Sequence, residues 1–531
     1  MRTHLVNGKI YVNEDHFVEA LAIEDGMIVQ IGHAEDLGAA DQTFDLEGRT
    51  VLPGINDSHM HLMSVGSTMT ICDLTPARSV EDIIRLAREF HEAHPDIPVL
   101  YGRGWNQDYF TSGDVRLLDR NDADQITTDI PVILTRVCGH LVTTNTYGIE
   151  TLDITDSTVV DGGEIERDEN GTPNGRFNEN AIYLAYTLLP EKTVEDIEDD
   201  FLRGAEYAVS VGITSVQSGD PSNEEAPRIF EALHNLYREN RMPLRYSLQQ
   251  NFQSIEGLRN FLATEYQNDA DYGERWLRRG ALKLFKDGSL GARTAEMLDD
   301  YADDPGNRGV EAMTREQINA LVTLASESGL RCVTHAIGDG AVEAVIDAYV
   351  AANGGTENPL RHGINHCQIT RSEQLDRIVE NNLAILYQPI FLDYDLQILE
   401  DRVGEEIART SYAFGTLIRR GAHVSFGSDS PVENCNPFPG IYCAVTRQRI
   451  DGTPAGGFAP EHSCTVAEAV DAYTAGSAWN EGSENFKGRL QEGQVADLIV
   501  LDRDIFTVDP AEIKDIQVLR TMVDGEWVFV R

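Results

Sequence analysis

Two histidines separated by one residue, His59 and His61, are the strongest local indication of chemistry in this 531-residue chain. They lie in residues 52–62, LPGINDSHMHL. Alternate residues of a strand point to the same face, so both imidazoles could reach one metal ion from a single strand end. The pattern alone is weak, because 14 histidines in a chain of this length produce about 0.4 such pairs by chance. A polar strand end without a metal is the alternative explanation.

Three further polar residues follow apolar segments that resemble strands. His335 ends the segment CVTH, His366 ends GINH, and Asp429 follows SFGS. A single histidine on an apolar strand is more often a hydrogen-bonded core residue than a ligand. However, the carboxyl ends of parallel strands meet on one face, where four histidines and one aspartate would form a nitrogen and oxygen donor set. Such a set suits zinc or a similar divalent ion.

The segments that would position these residues alternate between strand and helix signals, as parallel strands with crossover helices do. Short apolar segments occur at 212–216, 331–335, 362–366, 384–387 and 423–427, and amphipathic helix patterns follow several of them. We therefore expect an α/β fold with a (β/α)8 TIM barrel over residues 56–484. A doubly wound parallel sheet is the alternative, because it shows the same alternation.

Both ends of the chain are typical of short β-strands joined by tight turns. Asn7-Gly8, Asp25-Gly26 and Asp524-Gly525 are hairpin signals next to apolar runs. Neither end can bury a face alone, so we expect residues 1–55 and 485–531 to pack into one small β-sandwich. Residues from about 64 to 200 exceed the length of one βα unit, which predicts an insertion after the first barrel strand that covers the barrel mouth.

Six ordered motifs resemble those of the amidohydrolase superfamily, and within it the amidohydrolase 3 group, which includes enzymes similar to N-substituted formamide deformylase. They are PGxxDSHxH at 53–61, KLFKDGSLGARTA at 283–295, HAIGD at 335–339, NHCQ at 365–368, GSDSP at 427–431 and GQVADLIVL at 493–501. The resemblance implies a barrel with a β-sandwich built from both termini. It also implies a centre of one or two divalent ions with the ligands His59, His61, Lys283, His335, His366 and Asp429.

Two lysines compete for the position of the ligand lysine. Lys283 and Lys286 are three residues apart, so on one strand they face opposite sides. The family places its lysine at the 283 position, and we expect Lys283 to point into the barrel. A buried amine is costly, and carboxylation would convert it into an anionic oxygen ligand that bridges two ions. A neutral or ion-paired Lys283 beside a single metal ion is the alternative.

The resemblance implies hydrolysis of a carbon–nitrogen bond other than a peptide bond in a small molecule. A bound metal lowers the pKa of its water, and the resulting hydroxide attacks an amide-like carbonyl. Asp429 would accept the proton from that water and return it to the departing nitrogen. We further expect Trp105, His140, Ser289 and Arg293 to contact the substrate. The alternatives are an ester or lactone substrate, or a regulatory or binding protein of the same fold without hydrolysis.

The composition excludes several classes of partner. The chain carries 88 Asp and Glu against 43 Lys and Arg, a formal charge of −45, which disfavours nucleic acid and anionic membranes. Only six of its basic residues are lysine, a pattern typical of proteins adapted to molar salt, where self-repulsion is screened.

The cysteines and the apolar runs indicate the compartment. Seven cysteines without CxxC spacing favour reduced thiols over a disulfide framework. No apolar run reaches the length of a membrane span, and the first residues lack the core of a signal peptide. We therefore expect a cytoplasmic, halophilic enzyme, with a homodimer as one candidate assembly.

Overall fold

The computed structural model describes residues 1–137, 141–155, 157–160, 163–179, 181–221, 225–264, 275–355 and 357–531. The chain divides into two compact units. The larger unit comprises Met1–Gly66 with Val194–Arg531, and the smaller unit is Ser67–Thr193. Each unit contains its own sheets and its own hydrophobic clusters.

Eight parallel strands form the centre of the larger unit, and each pairs with the next strand along the chain. We label them β1 to β8 in chain order: Ile55–Met60, Ile213–Ser218, Arg245–Asn251, Leu277–Phe285, Arg331–Ala336, Gly363–His366, Ala384–Tyr387 and Val424–Phe426. This order is that of a nearly closed (β/α)8 barrel. The predicted α/β TIM barrel is confirmed.

The first and last strands meet at a seam. The backbone NH of Asp429 donates to the carbonyl of His59 at 2.8 Å. The carboxylate of Asp57 accepts from the backbone NH of Ser428 at 3.1 Å and from its hydroxyl at 2.6 Å. A Cβ on Gly427 would lie 2.7 Å from the backbone nitrogen of His59. This position therefore takes glycine, because a side chain would force β1 and β8 apart.

Helices connect the strands, and their apolar faces pack with the barrel strands in one large core cluster. Local signals fix their ends. Thr314 and Gln317 form a reciprocal capping box at the start of Arg315–Glu327, and Gly354 in the left-handed region ends Asp339–Asn353. The helices of the larger unit also include Val194–Ser210, Ala226–Arg238, Ile255–Leu262, Ser372–Glu380, Leu392–Asp395, Leu399–Ala408, Phe414–Arg419, Pro437–Thr446, Val466–Asp471 and Ser477–Glu481. The helix Leu62–Thr68 begins in the larger unit and ends in the smaller one.

Two further sheets of the larger unit are built from both ends of the chain. The first contains Arg2–Val6, Ala20–Glu24, Met27–Gly32 and Gln42–Asp45. The second contains Lys9–Asn13, His16–Val18, Thr50–Pro53, Leu498–Leu501, Val518–Val523 and Glu526–Val530. Apolar side chains of both sheets, such as Leu5, Ile23, Val51 and Met522, share one core cluster. This is the predicted β-sandwich.

The smaller unit corresponds to the predicted insertion after the first barrel strand. Its six-stranded sheet contains Cys72–Asp73, Leu100–Trp105, Val132–Arg136, Leu141–Thr144, Gly163–Arg167 and Pro173–Glu179. Its helices are Val80–Ala93, Arg120–Asp124, Thr146–Thr151 and Ile182–Tyr186. The sheet is mixed, since it contains both parallel and antiparallel pairs.

The helices and cysteines of the described residues can be compared with the expectations from the composition. In that part of the chain, no helix has the length and apolar character that crossing a membrane requires. The six cysteines that the structure describes are buried and unpaired, as expected for reduced thiols.

Candidate metal centre

Five of the six predicted metal ligands converge at the carboxyl ends of the barrel strands. One nitrogen each of His59 and His366 and a carboxylate oxygen of Asp429 lie within 4.8 Å of one another. The Nε2 atoms of His59 and His61 lie 3.1 and 3.4 Å from Oδ1 of Asp429. The ring centroids of His335 and His366 are 4.4 Å apart. Residues far apart in the sequence therefore form one compact donor set.

Lys283 of β4 adds a buried amine to this cluster. Its side chain is fully buried, and its Nζ finds no hydrogen-bond partner among the residues that the structure describes. Burial lowers the pKa of Lys283 to about 7, and the nearby carboxylates of Asp429 and Asp287 only partly oppose this shift. Its Nζ lies 4.2 Å from the ring centroid of Phe285, but a buried amine without a hydrogen bond still costs free energy. Its presence here fits a site that is completed by another group.

The second lysine of the motif lies in different surroundings. Lys286 follows the last residue of β4, and its amine forms ion pairs with the carboxylates of Glu296 and Glu311. Its side chain is also fully buried, but its charge is compensated. Of the two lysines, Lys283 therefore lies beside the histidine cluster.

Burial sets the protonation of the cluster. It lowers the pKa of His59 to about 4 and that of His335 to about 3, and it lowers the pKa of His366 well below the usual value. Burial also acts to lower the pKa of His61, but Asp429 outweighs it and raises that pKa. Burial alone would raise the pKa of Asp429, yet the neighbouring histidines hold it well below its usual range. Neutral imidazoles and an ionised carboxylate are the forms that bind a divalent ion.

Two glutamines orient two of the histidines. Nδ1 of His59 lies 2.5 Å from Oε1 of Gln249, and Nδ1 of His366 lies 2.7 Å from Oε1 of Gln388. A carboxamide oxygen only accepts, so each Nδ1 carries the hydrogen and each Nε2 keeps its lone pair. The Nε2 of His59 faces Asp429, whereas the Nε2 of His366 accepts from the side-chain amide of Asn365 at 2.8 Å. Neither glutamine is among the residues predicted from the sequence. The signal that could have found them is a polar residue near the carboxyl end of a barrel strand: Gln249 lies two residues before the end of β3, and Gln388 directly follows β7.

His335 is held in the opposite orientation. Its Nε2 donates to the carbonyl of Gly288 at 2.9 Å, so its Nδ1 lone pair is the one available for a metal. Asp287, just after β4, lies 3.4 Å from the same Nε2 and accepts from the backbone NH groups of Ile337 and Gly338. These contacts fix the loop after β5 against the loop after β4.

A family model described as the amidohydrolase family matches residues 42–529 of the chain. The chain belongs to the amidohydrolase family. It is 30% identical to a Bacillus subtilis (strain 168) protein named "Putative amidohydrolase YtcJ", with 98% of each chain covered. It is 25% identical to an Arthrobacter pascens protein named N-substituted formamide deformylase, over 96% of this chain and 94% of that one.

This amidohydrolase also resembles a solved structure along most of its length. A crystal structure of an uncharacterized metal-dependent hydrolase from Pyrococcus horikoshii OT3 matches with a TM-score of 0.80 and 28% identity. The match covers 96% of this chain and 99% of that chain. The family and this neighbour support a hydrolase that acts on a small molecule. Together with His59, His366 and Asp429 they indicate a divalent metal.

Three residues at the metal centre of this amidohydrolase have a strained backbone. His366, Cys367 and Asp429 have φ values of 73°, 47° and 57°, in the left-handed region that costs about 1–3 kcal/mol for a residue other than glycine. Hydrogen bonds to neighbouring strands hold them there, from the NH of Cys367 to Ala336 and from the NH of Asp429 to His59. The strain that places two predicted ligands, His366 and Asp429, therefore lowers the stability of the fold.

The four predicted substrate contacts are placed differently. Trp105 is fully buried in a core cluster of the smaller unit, where its indole NH donates to a backbone carbonyl at 3.3 Å. The guanidinium of Arg293 pairs with Asp303 at 3.0 and 2.8 Å. Ser289 is exposed in the loop after β4, and His140 lies outside the described residues. A contact of these residues with substrate stays a prediction.

Proposed function

We propose that this amidohydrolase uses a divalent ion, zinc or a similar metal, to hydrolyse an amide-like carbon–nitrogen bond, other than a peptide bond, in a small molecule. The observation that carries the proposal is the approach of His59, His366 and Asp429 to within 4.8 Å of one another. Beside them, the amine of Lys283 has no hydrogen-bond partner among the described residues. The four histidines and Asp429 would hold one or two ions.

The side chains of the site would have different roles in hydrolysis. A divalent ion supplies a nucleophile near neutral pH by lowering the pKa of bound water, and it polarises the carbonyl under attack. Asp429 carries the proton: its carboxylate stays ionised in this cluster, so it can accept a proton from the attacking water and return it to the departing nitrogen. Gln249 and Gln388 keep the imidazoles of His59 and His366 in one orientation.

We also propose that Lys283 is carboxylated in the metal-loaded protein. The neutral amine would attack carbon dioxide, form a nitrogen–carbon bond and release a proton, which leaves a carbamate. This change would replace a buried amine that lacks a hydrogen bond with an anionic oxygen ligand for the ions. Carbon NMR of protein loaded with isotopically labelled bicarbonate should show a carbamate signal that Lys283→Met removes and Lys286→Met retains. A signal that persists in Lys283→Met would contradict the assignment.

Metal analysis and a hydrolysis screen at molar salt test the function. We expect one or two divalent ions per chain and faster cleavage of amide substrates than of ester substrates matched in structure. Asp429→Asn should lower turnover by about 10²–10⁴-fold, whereas the exposed control Asp376→Asn, at a residue in an ion pair with Arg420, should not. A purified protein that binds no divalent ion would support the regulatory or binding role instead. Preferential cleavage of the esters would support an esterase or lactonase.

We propose, finally, that the protein works at molar salt. Its formal charge of −45 and its six lysines among 43 basic residues describe a surface whose self-repulsion needs screening. The screen of substrates is therefore best run in that range of salt concentration.

A further inference from the structure

A second concave site lies at the amino-terminal ends of β4, β5 and β6, whereas the metal centre lies at the carboxyl ends. It is a cavity of about 290 Å³. Four arginines from the starts of these three strands line it: Arg278, Arg279, Arg331 and Arg361. The chain has a formal charge of −45, so a small cavity lined by four guanidinium groups is a positively charged region of an acidic protein.

Nearby carboxylates compensate only part of this charge. Glu484 forms a bidentate pair with Arg361 at 2.7 and 2.9 Å. Glu481, which also lines the cavity, is bound by the amine of Lys487. Within the described part of the chain, neither Arg278 nor Arg331 forms an ion pair with a carboxylate within 4 Å, although the charge of Glu481 acts on both arginines at longer range. The cavity therefore keeps an excess of positive charge.

Arg331 is the most buried of the four cavity arginines. It is the first residue of β5 and is only 9% exposed. Its Nη2 donates to Oδ1 of Asn480 at 3.0 Å, but its buried Nε has no hydrogen-bond partner among the described residues. A buried guanidinium is costly unless an anion compensates its charge. Burial lowers the pKa of Arg331 to about 10, so the group remains charged at neutral pH.

We propose that this cavity binds a phosphate group, either as free phosphate or as part of a phosphorylated small molecule. The planar guanidinium fork matches phosphate oxygens with paired hydrogen bonds, which gives arginine clusters their preference for this group. The cavity volume exceeds that of one phosphate ion and leaves room for an organic substituent. The backbone of Gly280 and Gly482 forms part of its lining, so a ligand can approach the chain closely there.

The cavity lies at the opposite ends of the strands that carry three of the predicted metal ligands. The cavity contacts the starts of β4, β5 and β6, and the same strands carry Lys283, His335 and His366 toward their other ends. A bound phosphate would lower the charge repulsion among the arginines at these starts. Binding would therefore raise the thermal stability of the barrel. The site does not depend on the proposed hydrolysis, because none of its residues belongs to the donor set.

Isothermal titration calorimetry at constant molar chloride tests the proposal with two probes, inorganic phosphate and glycerol phosphate. We expect saturable binding of one ligand per chain and a higher melting temperature in its presence. A higher affinity for glycerol phosphate would identify a phosphorylated molecule as the ligand, and equal or weaker binding would identify free phosphate. Both results support the site.

Matched variants test whether phosphate binds in the cavity or elsewhere on the surface. Arg278→Gln, at a half-buried position, and Arg331→Gln should each weaken binding by about tenfold or more, because each removes a charged donor. Arg308→Gln, which removes an exposed arginine paired with Asp300, should leave the affinity unchanged. Asp429→Asn should also bind phosphate normally, even if turnover is lost. The proposal is overturned if neither probe binds saturably, if both cavity variants bind like the wild type, or if binding requires Asp429.

Discussion

Replacing Lys283 with methionine should stabilise the metal-free protein while it abolishes activity. The amine has no hydrogen-bond partner among the described residues, and burial lowers its pKa from 10.5 to about 7. In the unfolded chain Lys283 keeps its ordinary pKa. Folding at pH 7 therefore costs the free energy of protonation that corresponds to about three pKa units. At 1.36 kcal/mol per unit this is about 4 kcal/mol. Methionine has a similar length and carries no charge, so it removes this cost.

The stability gained by Lys283→Met should decrease as the pH rises. Between the folded pKa of about 7 and the unfolded value of 10.5, the unfolded chain binds more protons at Lys283 than the folded protein. The wild-type contribution to stability therefore rises with pH across this window. The advantage of Lys283→Met should be largest at and below about pH 7, and it should disappear as the pH approaches 10.5.

Lys286→Met is the matched control, because Lys286 is equally buried but is paired with Glu296 and Glu311. Its loss leaves two carboxylates without their cation and should destabilise the protein by about 2 kcal/mol. The measurement is the urea midpoint of chelator-treated wild type and variants at one molar salt concentration, followed by fluorescence and circular dichroism. The reasoning is refuted if both substitutions lower the midpoint alike, or if the effect of Lys283→Met is the same at pH 7 and at pH 10.

Other perturbations test the proton carrier, the barrel seam and the surface charge. Asp429→Asn should lower kcat by about 10²–10⁴-fold, because it removes the general acid and base; steady-state kinetics that retain a tenth of the wild-type rate would exclude that role. Gly427→Ala should destabilise the protein by about 1–3 kcal/mol, since the new Cβ would meet Asp57 and His59. Gly355→Ala, which meets no atom within 4 Å, should change the unfolding midpoint little, and equal losses would contradict the close approach at the seam. Transfer from molar to dilute salt should lower the melting temperature, because the charge of −45 is then unscreened. If an uncharged osmolyte restored the melting temperature fully in dilute salt, charge repulsion would not be the cause.

The sequence was informative wherever a local pattern carries the chemistry. The apolar segments before His335, His366 and Asp429 predicted strand ends, and the structure brings these side chains together with His59 and His61. The alternation of strands and helices predicted the barrel, and the turn signals at the termini predicted the sandwich. Each of these inferences rests on residues close in sequence, or on the general rule that parallel strands end on one face.

Other features depend on the register between distant strands, which no local pattern specifies. The contact between His59 and Gln249 joins residues 190 positions apart, and the seam contact between Asp57 and Ser428 joins residues 371 positions apart. The apolar and aromatic character of Trp105 suited either a substrate pocket or a core, and packing alone decides its burial. The arginine cavity was missed for the same reason, because its four members come from three strands.

The sheet shared by both ends of the chain has a consequence for biosynthesis. Thr50–Pro53 pairs on one side with Leu498–Leu501, and the ion pair between Lys9 and Asp504 spans 495 residues. At 5–20 residues per second, a ribosome needs about 25 to 100 seconds to deliver these partners. During that time the early strand presents an unpaired edge. In the cell this protein must therefore keep its first strands from pairing with other chains until its last strands emerge.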